Sequence, residues 1–313
     1  MSEASSARAN MGFIGAIVAV ATIGGFLFGY DSGAVNGTQE GLRSTFHLSD
    51  SGLGFTVGSL LIGCFIGAFL AGRLADLFGR RNVMMLAALL FLGGALTQGF
   101  SHAHILFVIA RLTGGMAVGA ASVLSPAYIS EVAPAAIRGR LTTIQQIMII
   151  IGLTIAFVVN YFLAASAGVS TAHFWGGIEA WRWMYLMQAI PAAIFLVALI
   201  FIPESPRYLV SKGRDERATA VLTRLFGNVA ASTKLDEIRA SFAKDHRPRL
   251  SDIKGPGLLG IRPIVWAGIM LAVFQQLVGI NVIFYYGETL WKLAGVSEAA
   301  ALQRNIISGV VSI

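Results

Sequence analysis

The chain of 313 residues is 56% hydrophobic and only 12% charged, about half the roughly 25% charge of a soluble domain, and its mean hydropathy is +0.72. So few polar groups cannot cover a folded body of this size, which excludes a water-soluble globule and also a disordered chain. The net charge of +7 would suit a nucleic acid or an anionic membrane surface. The basic residues, however, lie in short segments between apolar runs, which argues against nucleic acid and makes the lipid bilayer the partner.

Seven apolar runs follow one another near 12–35, 53–73, 83–100, 104–127, 141–164, 184–202 and 264–287. Each is long enough to cross a hydrocarbon core of about 30 Å as a helix. The first exceeds the usual apolar length of a signal peptide and no small-residue cleavage site follows it, so it reads as a retained span. Cys64, the one cysteine, sits in the second run, reads as a small buried hydrophobe and can form no intrachain disulfide. An eighth stretch after Arg304 has about nine residues, or ~14 Å of helix, too short to cross. The expectation is a chain cut in mid-helix.

Orientation follows from alternate connections. Eighteen of the 23 Lys and Arg residues lie on the side that holds Arg8, four lie on the other, and Arg111 falls within a run. The amino terminus is therefore expected in the cytoplasm. The segment 204–262 differs in kind, with charges about every third position; Asp215 to Leu225 and Lys234 to Ala243 have the spacing of short amphipathic helices on a cytoplasmic insert.

Asp31 and Arg111 are the ionisable acid and base that stand well inside apolar runs, where each costs about 2.5–3.5 kcal/mol unless paired or wet. Asp31 lies ~6 Å from the outer end of its run and Arg111 ~10 Å from the outer start of its own, so the two come to similar depth. A static ion pair and a proton pathway are both open on this pattern. Amides recur in the fifth and seventh runs: Gln145, Gln146 and Asn160, then Gln275, Gln276 and Asn281. Asn160 falls about 40° from Gln146 on a helical wheel, so the pair shares one face. Gln276 and Asn281 fall about 140° apart, so the two reach one point only if the helix breaks at Gly279. The glycine pairs Gly63 and Gly67, Gly114 and Gly115, with Gly119, suit close helix packing, and Trp175, Trp181 and Trp183 suit a membrane interface. Phe28, Tyr30, Tyr285 and Tyr286, beside Asp31 and Asn281, would suit the apolar faces of a polyol.

The strings GGFLFGYD (24–31), GRLADLFGRR (72–81), ARLTGG (110–115), PAYISEVAPAAIRGR (126–140), WRW (181–183), PESPRYL (203–209) and QQLVGINVIFYY (275–286) together resemble the sugar porters of the major facilitator superfamily, in order and over the whole chain. The resemblance implies an all-α polytopic membrane protein: a six-helix bundle over 1–203, a cytoplasmic helical linker over 204–262 and the start of a second bundle over 263–313. It implies uptake of a monosaccharide by alternating access, with the proton as coupling ion and no other cofactor. Asp31, paired with Arg111, would exchange that proton. Gln146, Gln275, Gln276, Asn281, Tyr285 and Phe28 would meet the sugar. Asp76, Arg80, Arg81, Glu131, Arg138, Glu204 and Arg207 would form cytoplasmic gating networks. Leu153 stands where some xylose-transporting relatives have glutamine, which favours glucose over xylose.

The alternatives are a facilitative carrier in which Asp31 is structural, and a sugar receptor on the same fold. An enzyme is not expected, because no metal-ligand cluster, nucleophile and base pair or phosphate loop is seen; His47, His102, His173 and His246 fall outside the runs and His104 stands at the very start of one. The short amino terminus suggests a bacterial inner membrane. The oligomeric state is left open. Lacking half of the implied cavity, the 313 residues alone are expected not to transport.

Overall fold

The computed structural model describes residues 9–134, 136–244 and 253–313. Arg8, His246 and two arginines of the insert, Arg247 and Arg249, lie outside the described residues. Helices account for all seven apolar runs, as they must where no water is available to satisfy the backbone.

The first helix, α1 (Met11–Asn36), starts where the Asn10 side chain accepts the Phe13 N–H at 3.1 Å, and runs through Asp31 to its far end. A short α2 (Gln39–Phe46) leads to α3 (Asp50–Phe78), which Ser49 caps in the same way by accepting Gly52 N–H. There follow α4 (Arg80–Phe100), α5 (His104–Val132) and α6 (Arg138–Ala167). The sixth span is two pieces, α7 (Ala180–Leu186) and α8 (Ala189–Phe201), interrupted at Met187 and Gln188. Its first turn precedes the sixth apolar run, with Trp181 buried against Phe107 of α5.

Three short helices follow, α9 (Pro206–Ser211), α10 (Asp215–Phe226) and α11 (Asn228–Lys244). They share a small core of Leu209, Val210, Ala218, Leu222, Ala231 and Leu235. Asn10 N–H donates to Leu225 O at 2.8 Å, Arg224 lies 4.4 Å over the Phe13 ring, and Tyr208 Oη donates to Leu77 O at 3.1 Å. The two amphipathic stretches are thus helices docked on the end of the bundle where α1 begins.

The seventh span is broken as expected. α12 (Pro263–Leu277) ends, Gly279 adopts φ +76°, and α13 (Ile280–Leu293) sets off from it. Glycine suits that left-handed position because no Cβ opposes it. The last helix, α14 (Glu298–Val311), starts seven residues before the apolar stretch that marked it, because the run Glu298 to Leu302 is itself made of helix formers. α12 has no buried residue, whereas α13 packs on α1 and α14 packs on α6.

Backbones approach closely within the bundle. Gly63 and Gly67 of α3 face the backbone of Leu112 and Met116 on α5, and Gly115 and Gly119 of α5 face Leu60 and Cys64. Gly29 of α1 lies against the Ile149 carbonyl of α6. Outward the bundle is apolar, with Phe65, Phe69, Ile105 and Phe201 each more than 70% exposed, a surface made for lipid rather than water.

A side chain at Gly29 would overlap the Ile149 carbonyl. Gly29→Val is therefore expected to push α1 off α6 and to destabilise the fold by about 3 kcal/mol. A lowered melting temperature in detergent, set against an unchanged one for Gly15→Ala, whose surroundings are open, would show it.

Candidate functional site

Near the far end of α1, Asp31 Oδ2 lies 3.6 Å from Arg111 Nη2 of α5, and each side chain is 1% exposed. Arg111 also donates to Gln98 Oε1 of α4 at 3.4 Å and to Val57 O of α3 at 3.3 Å, and lies 6.0 Å from the centroid of the Tyr185 ring of α7. Five helices therefore meet on one guanidinium. Asp31 Oδ2 and Arg111 Nε have no hydrogen-bond partner. At 3.6 Å the pair attracts by about 4–5 kcal/mol at an effective dielectric near 20, but the geometry leaves hydrogen-bonding capacity unused on both ions, so the pair is held together without being locked.

Gln188, in the interruption of the sixth span, completes this centre. Its side chain lies beside the Asp31 carboxyl, it is fully buried, and neither amide atom is held in a hydrogen bond. Sequence reasoning missed Gln98, Tyr185 and Gln188. Gln98 and Gln188 carried a signal, an amide within or beside an apolar run, that went unread because neither stood in a cluster.

The amides of the seventh span converge. Asn281 Nδ2 donates to Gln276 Oε1 at 2.7 Å across the break at Gly279, and Gln275 and Gln276 are exposed on the open flank of α12. Gln146 is exposed on α6. Asn160 does not share its setting: it is fully buried and donates to Gly33 O and Ala34 O of α1 at 2.9 and 3.4 Å. Gln145 is the amide that accompanies it against α1, at Gly25. The 40° that separates Gln146 from Asn160 is enough to put one at the helix contact and the other outside it. Tyr285 is buried with its hydroxyl 3.4 Å from Ser32 Oγ, and Phe28 is half-buried against the main core. Leu153 is 6% exposed and packed on Gly29 and Gly33.

The far ends of α1 and α13 are tied together. Asn36 Nδ2 donates to Phe284 O at 2.7 Å, Gln39 Nε2 donates to Tyr285 O, Thr289 Oγ1 donates to Gln39 Oε1 at 2.8 Å, and Lys292 Nζ pairs with Glu40 at 3.1 Å. Two ionisable residues that stand just outside the sixth and seventh apolar runs are buried. Arg182 is 3% exposed and bonded to Glu179, Gly99 O and Ser101 O, and Glu288 is 2% exposed because α13 carries on past the apolar run.

At the opposite end, Gly79 turns the chain between α3 and α4 with φ +99°, and Glu204 Oε1 accepts the N–H groups of Arg80 and Arg81 at 3.0 and 3.2 Å. A carboxylate thus caps the positive end of α4. The Arg80 side chain reaches Asp76 at 3.0 Å and Glu131 at 3.2 Å, Ser205 Oγ donates to Glu131, and Arg81 donates to Leu199 O and Ile200 O. Arg207 lies 5.1 Å over the Phe242 ring and close enough to act on Glu131. Six of the seven expected network residues are brought together. Arg138, exposed in the first turn of α6, forms no ion pair among the described residues.

The family model described as "Sugar (and other) transporter" matches residues 17–313. A glucose transport protein of Synechocystis sp. is 44% identical over 100% of this chain and 66% of its own length. The D-xylose-proton symporter of Escherichia coli K12 is 41% identical over 97% of this chain and 65% of its own length. The chain thus spans about two thirds of the length of these relatives. Among solved structures, the proton:xylose symporter XylE bound to 6-bromo-6-deoxy-D-glucose superposes with a TM-score of 0.83 at 40% identity, covering 96% of this chain and 67% of that one.

Arg111→Met would strand a buried carboxylate, an expected loss of about 3–5 kcal/mol. The Asp31→Asn/Arg111→Met double variant should recover most of it. Thermal unfolding of both proteins in detergent would measure the difference, and a double variant as unstable as the single one would show that the two charges are not coupled.

Proposed function

The chain belongs to the sugar transporter family, a family of multi-pass membrane transporters and not of enzymes, and from that we propose that it is part of a proton-coupled monosaccharide symporter. The observation that carries the reading is the Asp31 and Arg111 pair, 1% exposed on each side and short of hydrogen bonds. A carboxylate so placed can be neutralised by one proton, and the loss of its charge frees Arg111 toward Gln98 and Val57 O. With the sugar bound, that release lets the helices rock and turn the cleft from one face of the membrane to the other. Symporter names among the relatives support the coupling.

The sugar would be held by Gln146, Gln275, Gln276 and Asn281, whose amides donate and accept at adjacent hydroxyls, with Tyr285 and Phe28 beside them. Gln276 and Asn281 already meet at 2.7 Å, so the broken span presents a preformed polar point. Glucose is placed ahead of xylose because the relative aligned over the whole chain is named a glucose transporter. Leu153 supports it less, since the residue is buried, with its backbone against Gly29 and Gly33 of α1. We place the membrane as a bacterial cell membrane with the amino terminus, Asp76, Arg80, Arg81, Glu131, Arg138, Glu204 and Arg207 on the cytoplasmic side, from the excess of basic residues there. No cofactor other than the proton is needed.

Uptake of labelled glucose and xylose by the full-length gene product in vesicles, with and without an imposed proton gradient, tests the reading. Gradient-driven accumulation is expected, with Asp31→Asn retaining only exchange of sugar across the membrane. Accumulation that survives Asp31→Asn refutes symport through this residue, and equilibration indifferent to pH makes the protein a facilitator. Gln276→Ala and Asn281→Ala should each raise KM about tenfold, the worth of roughly 1.4 kcal/mol in lost hydrogen bonding, at unchanged thermal stability.

A further inference from the structure

Glu288 is a second carboxylate buried in a span, and the proposed proton path does not use it. It lies on α13 with 2% of its side chain exposed. Its backbone N–H donates to Asn36 Oδ1 at 3.3 Å, and Asn36 in turn accepts from Asn305 Nδ2 of α14 at 2.7 Å. The residue before it, Gly287, is seated against both asparagines. Glu288 is therefore carried at the contact of α1, α13 and α14, where the two halves of the chain close on each other.

Its charge is poorly met there. Glu288 Oε1 is 3.8 Å from Lys292 Nζ, beyond hydrogen-bond range, and Oε2 has no partner. Lys292 gives its hydrogen bond to Glu40 of α2 at 3.1 Å. From α14 comes another carboxylate, Glu298, which also acts on Glu288 and accepts the Ser170 N–H at 2.8 Å. α1 offers only the neutral Asn36, and Arg304 of α14 is stacked 4.7 Å over Trp291. One ammonium thus serves three carboxylates, and the one that is buried has the weakest claim on it. An ionised Glu288 is tolerable only when α13 has lifted from α1 and water reaches the group.

We infer that Glu288 is a second proton-binding site of the transport cycle, loaded from the outer side when the α1 and α13 contact is open and enclosed with its proton on Oε2 when that contact closes. A single proton taken up on closure makes the closed to open ratio rise by up to about tenfold for each unit of falling pH. The site then latches the outer gate in acid and releases it in alkali, while Asp31 acts deeper in the bundle. This rests on the alternating-access reading given above.

The test uses the full-length gene product with Cys64→Ala and spin labels on S44C of α2 and L293C at the end of α13, both exposed positions, reconstituted in lipid. Electron–electron distance measurements between pH 8 and pH 5 should show the short distance gaining population in acid. Glu288→Gln should hold the short distance at both pH values, Glu288→Asp should restore the response, and Asp31→Asn should keep it. A Glu288→Gln protein that responds as its parent does, or that stays at the long distance, overturns the proposal. Sugar uptake measured on the same preparations separates the two readings: gradient-driven uptake with an unaltered Glu288→Gln response sinks the second site alone, whereas a parent with neither uptake nor movement sinks both.

Discussion

A carboxylate and a guanidinium enclosed by helices at the level of the lipid chains set the terms for everything around them. Separated from water, each ion needs the other and every spare dipole nearby. The spare dipoles come from three helices and from the interruption of the sixth span: the Gln98 amide on α4, the Val57 carbonyl on α3, the Tyr185 ring on α7 and the Gln188 amide between α7 and α8. The bundle is thereby cross-linked by polarity at one depth, in a setting where apolar burial cannot hold helix to helix because lipid is as apolar as the side chains.

What holds the helices otherwise is proximity. Glycines at Gly29, Gly63, Gly67, Gly115 and Gly119 bring backbones together until carbonyls fill the space where a Cβ would be. Dispersion between closely fitted surfaces then replaces the hydrophobic effect as the source of association. The same fit leaves no slack: α1 cannot slide on α6 without collision, so any large movement has to occur at the contacts made of side chains. Those contacts lie between α13 and the ends of α1 and α2, where Asn36 and Gln39 exchange hydrogen bonds with Phe284, Tyr285 and Thr289.

The two ends of the molecule are built from different chemistry. The end near Gly79 is an arginine and carboxylate cluster laid over a helix start, with Glu204 capping α4 and Arg80 joined to Asp76 and Glu131. At the opposite end, α13 meets α1, α2 and α14 through amides, with Lys292 shared among nearby acids. The charge cluster reaches water at Asp76 while Arg80 and Glu131 are largely enclosed, so it parts only as water enters, and an amide zipper is reversible because each group finds water again when it opens. Both ends are thus suited to opening and closing, and the Asp31 and Arg111 pair lies between them.

The spans, the break at Gly279, the helical insert and the pairing of Asp31 with Arg111 were legible in sequence, because each follows from a local quantity: run length, a glycine between two amides, amphipathic spacing, and the depth of a charge in its run. The lone amides Gln98 and Gln188 were not, since what they do depends on which helix lies opposite. Asn160 was misjudged against Gln146 for the same reason: a wheel gives the angle between two residues but not where the neighbouring helix sits. Glu288 and Arg182 stand just outside apolar runs, and only the fold encloses them. Sequence by itself determined which segments must be helices in lipid and which charges needed partners. Only the tertiary structure decided who the partners are, because partner choice depends on the approach of α1 to α6 and α13, and that approach depends on atoms hundreds of residues apart.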